Sequence, residues 1–202
     1  MLFVWCATQV DALIYQARGS AWLARCLSRV AAGRSASDAR EAAASRGPGA
    51  VIGRIEIPRV GLSAMIADGC EPETLRRAVG HVPATARPGE SGNVCLAAHR
   101  DSYFRRLREL GEGDAVRLTT PGGFFDYEVI STSVVDPDRR DVLRPTREPT
   151  LTLITCYPFH YVGPAPDRFV VRARAVGESR AALRADRSFG FGWDFVPAVL
   201  AR

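Results

Sequence analysis

Lysine is missing from this 202-residue chain, so all 27 of its basic residues are arginines. With 22 acidic residues the formal net charge is +5, and the arginines are scattered along the chain. That distribution argues against nucleic-acid binding, which needs basic residues gathered on one face of the fold. The chain also contains no CxxC or HxxxH spacing, no convincing acidic cluster for calcium and no internal repeat. The sequence therefore offers no motif for a metal site or a repeat architecture.

A long hydrophobic run is missing from the N-terminus as well. Residues 1–10 are apolar but end at Asp11, short of the roughly 20 residues of a membrane-spanning helix. They also lack the preceding basic residues of a secretory signal. Two interpretations stay open: the end of a membrane anchor that begins upstream, or an amphipathic helix that packs on the domain. Apolar residues at helical spacing predict a helix over residues 8–30 in both cases, followed by a linker to residue 50.

The middle of the chain changes to strand-forming residues. An apolar fraction of 47% and a charged fraction of 24% are typical of globular proteins. Many short strands separated by Gly, Pro and Asp turns favour an all-β barrel or sandwich, with seven or eight strands. Two segments have the periodicity of short helices, residues 73–79 and 103–110. The strands that the pattern predicts cover residues 51–57, 93–98, 115–119, 125–132, 151–156 and 169–176.

We divide the chain into three parts on this basis. Residues 1–50 form an N-terminal helix and linker, residues 51–176 form the strand-rich domain, and residues 177–202 form a C-terminal extension. Alternating aromatic residues at positions 189–195 predict a strand-like segment that packs on the domain.

Three polar residues lie where predicted strands meet loops: His99, Cys156 and Arg168. A thiolate is a strong nucleophile, an imidazole can pair with it and later protonate a leaving amine, and a guanidinium can hold an oxyanion. Reference pKa values of about 8.5 for cysteine and about 6.5 for histidine make the ion pair a minority at neutral pH, which predicts a bell-shaped pH profile. Residue types alone are a weak signal, because each of the three is more often structural.

The sequence around these residues is far more specific. Four segments occur in order: GRIEIPRVGLSAMIADG (53–69), LRRAVGHVPATARPGESGNVCLAAHRDSYFRRL (75–107), VLRPT (142–146) and LTLITCYPFHYVGPAPDRFVVRA (151–173). Together they resemble the sortase family, with most similarity to the class D type and its TLxTCYPF and APxRF signatures. The resemblance covers nearly all of the strand-rich region.

The resemblance implies a fold and a reaction. The fold would be all-β, a closed eight-stranded barrel with short helices and an N-terminal helical extension. The reaction would be that of a cysteine transpeptidase, which cleaves a C-terminal LPxTG-like sorting signal after Thr through a thioester and transfers the acyl group to an amine. Carried over by motif, Cys156 is the nucleophile, His99 the general acid/base and Arg168 the oxyanion or substrate clamp. The residues expected to contact substrate are Ala98, Thr155, Tyr157 and His160.

Partners and location follow from the same resemblance. The partners would be proteins with sorting signals and an amine acceptor in peptidoglycan or a pilin, at the extracytoplasmic face of the plasma membrane, with membrane association through an N-terminal segment. The chemistry requires no cofactor; some family members bind calcium, but no acidic cluster supports it here. Two other functions remain open: a cysteine endopeptidase with water as acceptor, and a non-catalytic barrel that binds sorting signals.

The sequence departs from the family pattern beside the expected base. Ala98 stands where class D sequences usually have Gly, and Cys95 stands where they have an aliphatic residue. Because five cysteines cannot all pair within one chain, at least one thiol is unpaired. A buried free thiol is the favoured state for Cys95, with a Cys95–Cys156 disulfide as the alternative. A zinc site made by Cys70, Cys95, His99 and Cys156 is a weaker alternative, and His81 is interpreted as a structural imidazole bonded to backbone.

Overall fold

Eight strands close into a barrel in a computed structural model that describes residues 2–33, 35 and 47–177. Their order around the barrel is β1-β2-β3-β4-β7-β8-β6-β5, with β2–β3 and β4–β7 parallel and the remaining pairs antiparallel. The closed all-β barrel predicted above is confirmed. The strands are β1 (Val51–Ile57), β2 (Leu62–Asp68), β3 (Val79–His81), β4 (Asn93–Ala97), β5 (Ala115–Thr120), β6 (Gly123–Val135), β7 (Thr150–Tyr157) and β8 (Asp167–Ala175).

Two of the eight strands, β2 and β3, were not predicted from the sequence. Residues 64–67 of β2 are all buried, because the barrel interior lies on one side and the N-terminal helix on the other. A strand buried on both faces loses the alternation on which sequence patterns depend. Strand β3 has only three residues, and its first, Val79, had been assigned to a helix.

The helices differ from prediction at two places. Helix α1 runs from Leu2 to Ala31 and includes the predicted residues 8–30. Helix α2 covers Pro72–Arg77 and ends before the predicted boundary at residue 79. The helix predicted over residues 103–110 is wrong: this segment consists of turns and one 3₁₀ turn, Leu107–Glu109. Its buried apolar residues recur every third position, which matches the three residues per turn of a 3₁₀ helix. Those residues are Phe104, Leu107 and Leu110.

Branched and aromatic side chains fill the barrel. Every second residue of each strand points inward, as strand geometry requires. Burying such side chains contributes about 1.5–3 kcal/mol each. Between β1 and β2 the chain turns at Gly61, whose φ of +62° favours glycine. The largest fully buried side chains include those of Ile55, Ile57, Ile66, Leu96, Phe104, Leu118, Leu151 and Leu153.

Helix α1 packs on the outside of β1 and β2. Leu23 lies against Val51 and Met65 in a second, smaller apolar cluster. Gln16 links the helix to the barrel, since its side-chain oxygen accepts the Met65 N–H at 2.8 Å and its Nε2 donates to Arg77 O at 2.7 Å. None of the helices that the structure describes combines the length and apolarity that crossing a membrane requires. The predicted linker falls largely outside the described residues, and the strand-like segment at residues 189–195 falls entirely outside them.

Candidate active site

The parallel pairing of β4 with β7 brings His99 and Cys156 together. Ala97 lies opposite Ile154 in this register, and the next residue, Ala98, donates its N–H to Ile154 O at 3.3 Å. Extended two residues past Ala97, the same register sets His99 opposite Cys156. Neighbouring strands lie about 4.8 Å apart, so the imidazole and the thiol start from adjacent backbones.

Strand β8 supplies the third residue. Cys156 and Arg168 are direct partners in the antiparallel β7–β8 pair. Paired residues point to the same face of a sheet, with Cβ atoms about 4.5–5.5 Å apart. The extended β4–β7 register and the β7–β8 pairing thus set His99, Cys156 and Arg168 in one row, with the cysteine in the middle and His99 two residues past the end of β4. We call this the catalytic row, after the roles that the sequence resemblance predicts for its three residues.

The catalytic row lies on the outer face of the barrel. Leu151 and Leu153 on β7 belong to the interior cluster, as do Val171 and Ala173 on β8. Side chains alternate along a strand, so Cys156 and Arg168 point outward. The thiol is half-buried and His99 is exposed, which leaves the row open to a substrate.

A buried hydroxyl fastens the two strand ends that carry the imidazole and the thiol. Thr155 Oγ1 donates to Ala98 O at 2.8 Å. Each of these residues directly precedes a member of the catalytic row, and both side chains are buried. The bond therefore fixes the spacing between the backbones of His99 and Cys156.

Burial distinguishes the other thiols from Cys156. Burial raises the pKa of Cys70 and of Cys95 to about 11. Only a thiolate is a good nucleophile, so these two thiols are unreactive at neutral pH. Cys156 keeps contact with solvent and has Arg168 as its direct partner, the setting in which a reactive thiol is found.

The alternative roles for the cysteines are not supported by the geometry. Cys95 pairs with Thr152, four positions before Cys156 on β7, which separates the two thiols by about 13 Å along the sheet. A disulfide requires Cα atoms within about 7 Å. Cys26, Cys70, Cys95 and Cys156 are all free thiols. Within the described ranges no group of three His, Cys, Asp or Glu side chains is arranged to hold a metal.

The Arg168 guanidinium is oriented by the backbone around the start of β8. Its Nη1 donates to Ala165 O at 3.2 Å and to Asp167 O at 2.9 Å. Among residues 47–177 both of its hydrogen bonds use Nη1, which leaves Nε–H and Nη2–H for a substrate oxygen. A preoriented cation of this kind stabilises negative charge at low reorganisation cost.

Below the catalytic row, the same outer face carries a second row made only of apolar residues. The register aligns Ala97 on β4 with Ile154 on β7, and Ile154 with Val170 on β8. Sequence inspection did not identify Ile154 or Val170, because the row exists only once the register of three strands is known. Next to a nucleophile, such a row can serve as the floor of a groove for apolar substrate side chains.

Two loops cover the remainder of this outer face. Cys95 donates its backbone N–H to Thr85 Oγ1 at 3.3 Å, which holds the loop of residues 82–92. Asn93 Nδ2 donates to Val142 O at 2.9 Å and to Arg144 O at 3.2 Å, which holds the loop of residues 136–149. Both loop contacts lie near the start of β4, at the opposite end of the β4–β7 pair from Cys156.

The residues expected to contact substrate occupy different environments. Ala98 and Thr155 are buried, and the Thr155 hydroxyl already has an internal acceptor. Tyr157 packs on Phe159 and Phe169, with ring centroids 6.0 and 6.3 Å away. His160 is exposed and its Nε2 accepts from Arg108 Nη1. Substrate contacts by these four residues stay predictions.

His81 is a structural residue, as predicted. It is 3% exposed, and its Nε2 lies 3.0 Å from Ala86 O. Its Nδ1 faces Asp68 Oδ1 at 3.5 Å, and Asp68 also pairs with Arg87. The imidazole thereby holds the loop after β3, away from the catalytic row.

Comparisons with known proteins agree with the fold and the order of motifs. A family model described as a sortase domain matches residues 55–176. Sortase D from Bacillus subtilis is 39% identical over 129 residues, which are 63% of this chain and 65% of that protein, slightly less than two thirds of its length.

Solved structures with the same fold include two from other organisms. A sortase D5 transpeptidase from Clostridium perfringens superposes with a TM-score of 0.65 at 31% identity, covering 72% of this chain and 91% of that one. Sortase C-1 from Actinomyces oris superposes with a TM-score of 0.59 at 33% identity, covering 66% of this chain and 76% of that one.

Proposed function

Because the chain belongs to the sortase family of envelope-associated cysteine transpeptidases, we propose that it cleaves a C-terminal LPxTG-like sorting signal after Thr and transfers the acyl group to an amine. The observation that carries the proposal is the catalytic row, in which Cys156 has His99 on one side and Arg168 on the other. The acceptor amine, in peptidoglycan or a pilin, and a location at the extracytoplasmic face of the plasma membrane belong to the same proposal.

Acylation begins at the thiolate of Cys156. Its sulfur attacks the carbonyl carbon of the substrate Thr, a C–S bond forms, and the carbonyl electron pair moves to oxygen. Arg168 donates hydrogen bonds to that oxyanion. Collapse of the intermediate breaks the C–N bond to the following Gly, and the His99 imidazolium gives its proton to the leaving amine. A thioester on Cys156 and a neutral imidazole result.

Transfer reverses the roles of the same groups. The acceptor amine attacks the thioester carbon, and neutral His99 takes a proton from the amine as the new C–N bond forms. The C–S bond then breaks and restores the thiolate–imidazolium pair. No metal or external redox partner enters this balance of atoms and charge.

The apolar row supports a sorting signal as the substrate. Leu and Pro in such a signal precede the scissile Thr, and apolar side chains gain about 25 cal/mol for each Å² that they bury. Ala97 and Ile154, both half-buried, offer such a surface on the same outer face as the nucleophile, while Val170 is only 3% exposed and supports them from the next strand.

The test uses the full chain and a fluorogenic peptide that contains an LPxTG sequence, with and without an added amine. We expect an amine-dependent ligation product, its loss in Cys156→Ala, and a decrease of about 100-fold or more in His99→Ala and Arg168→Ala. Arg174→Ala is a matched control, because Arg174 lies on the same strand and pairs only at the surface with Glu128.

Two outcomes would change the conclusion. Cleavage that persists in Cys156→Ala would contradict the proposed nucleophile. Hydrolysis that needs Cys156 but gives no ligation product with any amine would replace the transpeptidase with the endopeptidase alternative.

A further inference from the structure

One arginine next to the catalytic row holds together the loop that follows the nucleophile. Arg100 Nη1 donates to Pro158 O at 3.2 Å, and its Nη2 donates to Tyr161 O at 2.8 Å and to Gly163 O at 2.9 Å. The same guanidinium lies over the Tyr161 ring, 5.8 Å from its centroid. Three backbone carbonyls of residues 158–163, which we call the 158–163 loop, thus converge on one cation.

Only a guanidinium suits this arrangement. Its planar fork presents several N–H donors at fixed angles, so one side chain reaches acceptors in different directions. Within the described residues Pro158 O also accepts the Tyr161 N–H at 3.3 Å, so Arg100 adds a charged donor to that turn and supplies the donor that Tyr161 O and Gly163 O share. Hydrogen bonds from a charged donor contribute about 1.5–3 kcal/mol, less where water competes for the acceptors. The conformation of the 158–163 loop accordingly depends on Arg100.

A second arginine from the same segment also contacts the loop. Arg108 lies over the Phe159 ring, 5.8 Å from the centroid, and its Nη1 donates to His160 Nε2. Because Arg100 and Arg108 both belong to the stretch that follows His99, this stretch and the 158–163 loop form one connected unit.

Arg100 and the 158–163 loop both adjoin the catalytic row in sequence. Arg100 directly follows His99, and Pro158 follows Cys156 by two residues. We propose that Arg100 is a positioning residue, which sets the spacing of the His99 imidazole and the Cys156 thiol by tying the two chain segments that leave the catalytic row. The inference rests on the proposed function for the roles of His99 and Cys156.

The structural part is tested by hydrogen exchange on the full chain. Arg100→Gln should increase amide exchange in the 158–163 loop. Arg106→Gln is the matched control: Arg106 is an exposed arginine of the same segment that donates to Val60 O at 2.7 Å and pairs with Glu109, away from the loop. Unchanged exchange in Arg100→Gln would overturn the proposal.

The chemical part is tested by kinetics on the same variants. Arg100→Gln should lower kcat/KM for the peptide by about 10- to 100-fold through kcat, as expected for a small displacement of reacting groups. Arg100→Lys should recover part of the loss, because an ammonium keeps the charge without the planar fork. Increased exchange with unchanged kcat/KM would also overturn the proposal, since the contact would then only stabilise the loop.

A readout without a sorting signal separates this inference from the proposed function. The rate at which iodoacetamide alkylates Cys156 depends on its pairing with an imidazole, whatever the substrate. We expect slower alkylation in Arg100→Gln and an unchanged rate in Arg106→Gln. If the unmodified chain transfers no acyl group but this difference in alkylation rate is observed, the substrate assignment fails while the positioning of the thiol by Arg100 stands. Equal alkylation rates in the two variants would refute the positioning role of Arg100.

Discussion

The hydroxyl of Thr155 provides the sharpest test of how the catalytic row is held. Thr155→Val removes the donor to Ala98 O but keeps the shape of the side chain. The lost hydrogen bond and the carbonyl left without its donor together cost about 2 kcal/mol in the free energy of unfolding. For a chain of this size that loss lowers Tm by about 4–8 °C. We expect kcat/KM to decrease as well, by about 10- to 100-fold, because the end of β4 that leads to His99 is released.

Thr152→Val is the matched control. Thr152 lies on the same strand, is 0% exposed against 3% for Thr155, and donates its hydroxyl to Asn93 Oδ1 at 2.7 Å. The two substitutions remove the same group from equally buried sites, so thermal denaturation should show similar losses of Tm. Only Thr155→Val should lose activity in the peptide assay. Equal activity of the two variants, whether both are active or both impaired, would refute the reasoning.

Four further outcomes follow from particular contacts. Site-resolved mass spectrometry after alkylation at pH 8 should find Cys156 modified and Cys70 and Cys95 intact, because a thiol with a pKa of about 11 is ionised in only about one molecule per thousand at that pH. Burial also raises the pKa of Cys95 from the free-thiol value of about 8.5 to about 11, so the folded state is stabilised most below the free-thiol pKa and loses that stability as the pH rises towards about 11. The free energy of unfolding should therefore decrease less steeply over that range in Cys95→Ala. Ile154→Ala should raise KM for an apolar sorting peptide about tenfold, measured by initial rates, and an unchanged KM would remove the apolar row from the groove. Gln16→Ala should increase amide exchange in α1 and lower the free energy of unfolding by about 2 kcal/mol, since the Met65 N–H loses its acceptor.

The sequence predicted six of the eight strands, because these alternate in polarity or form short apolar runs. Its motifs also single out His99, Cys156 and Arg168, whose chemical roles stay predictions. It did not reveal the apolar row. Ile154 and Val170 are ordinary strand residues, and only the register of β4, β7 and β8 shows that they share an outer face with Cys156. Burial on both faces concealed β2, and a period of three suggested an α-helix where the chain forms turns and a single 3₁₀ turn.

The roles of the polar residues around the catalytic row could not be predicted from the sequence either. The hydroxyl of Thr155 and the guanidinium of Arg100 act on backbone carbonyls that are 57 to 63 residues away in the chain. Such partners carry no side-chain signature, so no motif identifies them. Only tertiary structure shows that these side chains hold the site together instead of facing a ligand.

The parallel pairing of β4 with β7 has a consequence for folding. His99 and Cys156 are 57 residues apart in sequence; His99 follows the end of β4, Cys156 lies on β7, and these parallel strands are connected through β5 and β6. Closing a loop of this length has an entropic cost that local contacts do not offset, and parallel long-range pairing is slow to form. A chain that is still unfolded therefore carries a thiol with no base beside it. During refolding, recovery of thiol reactivity would mark closure of the barrel itself.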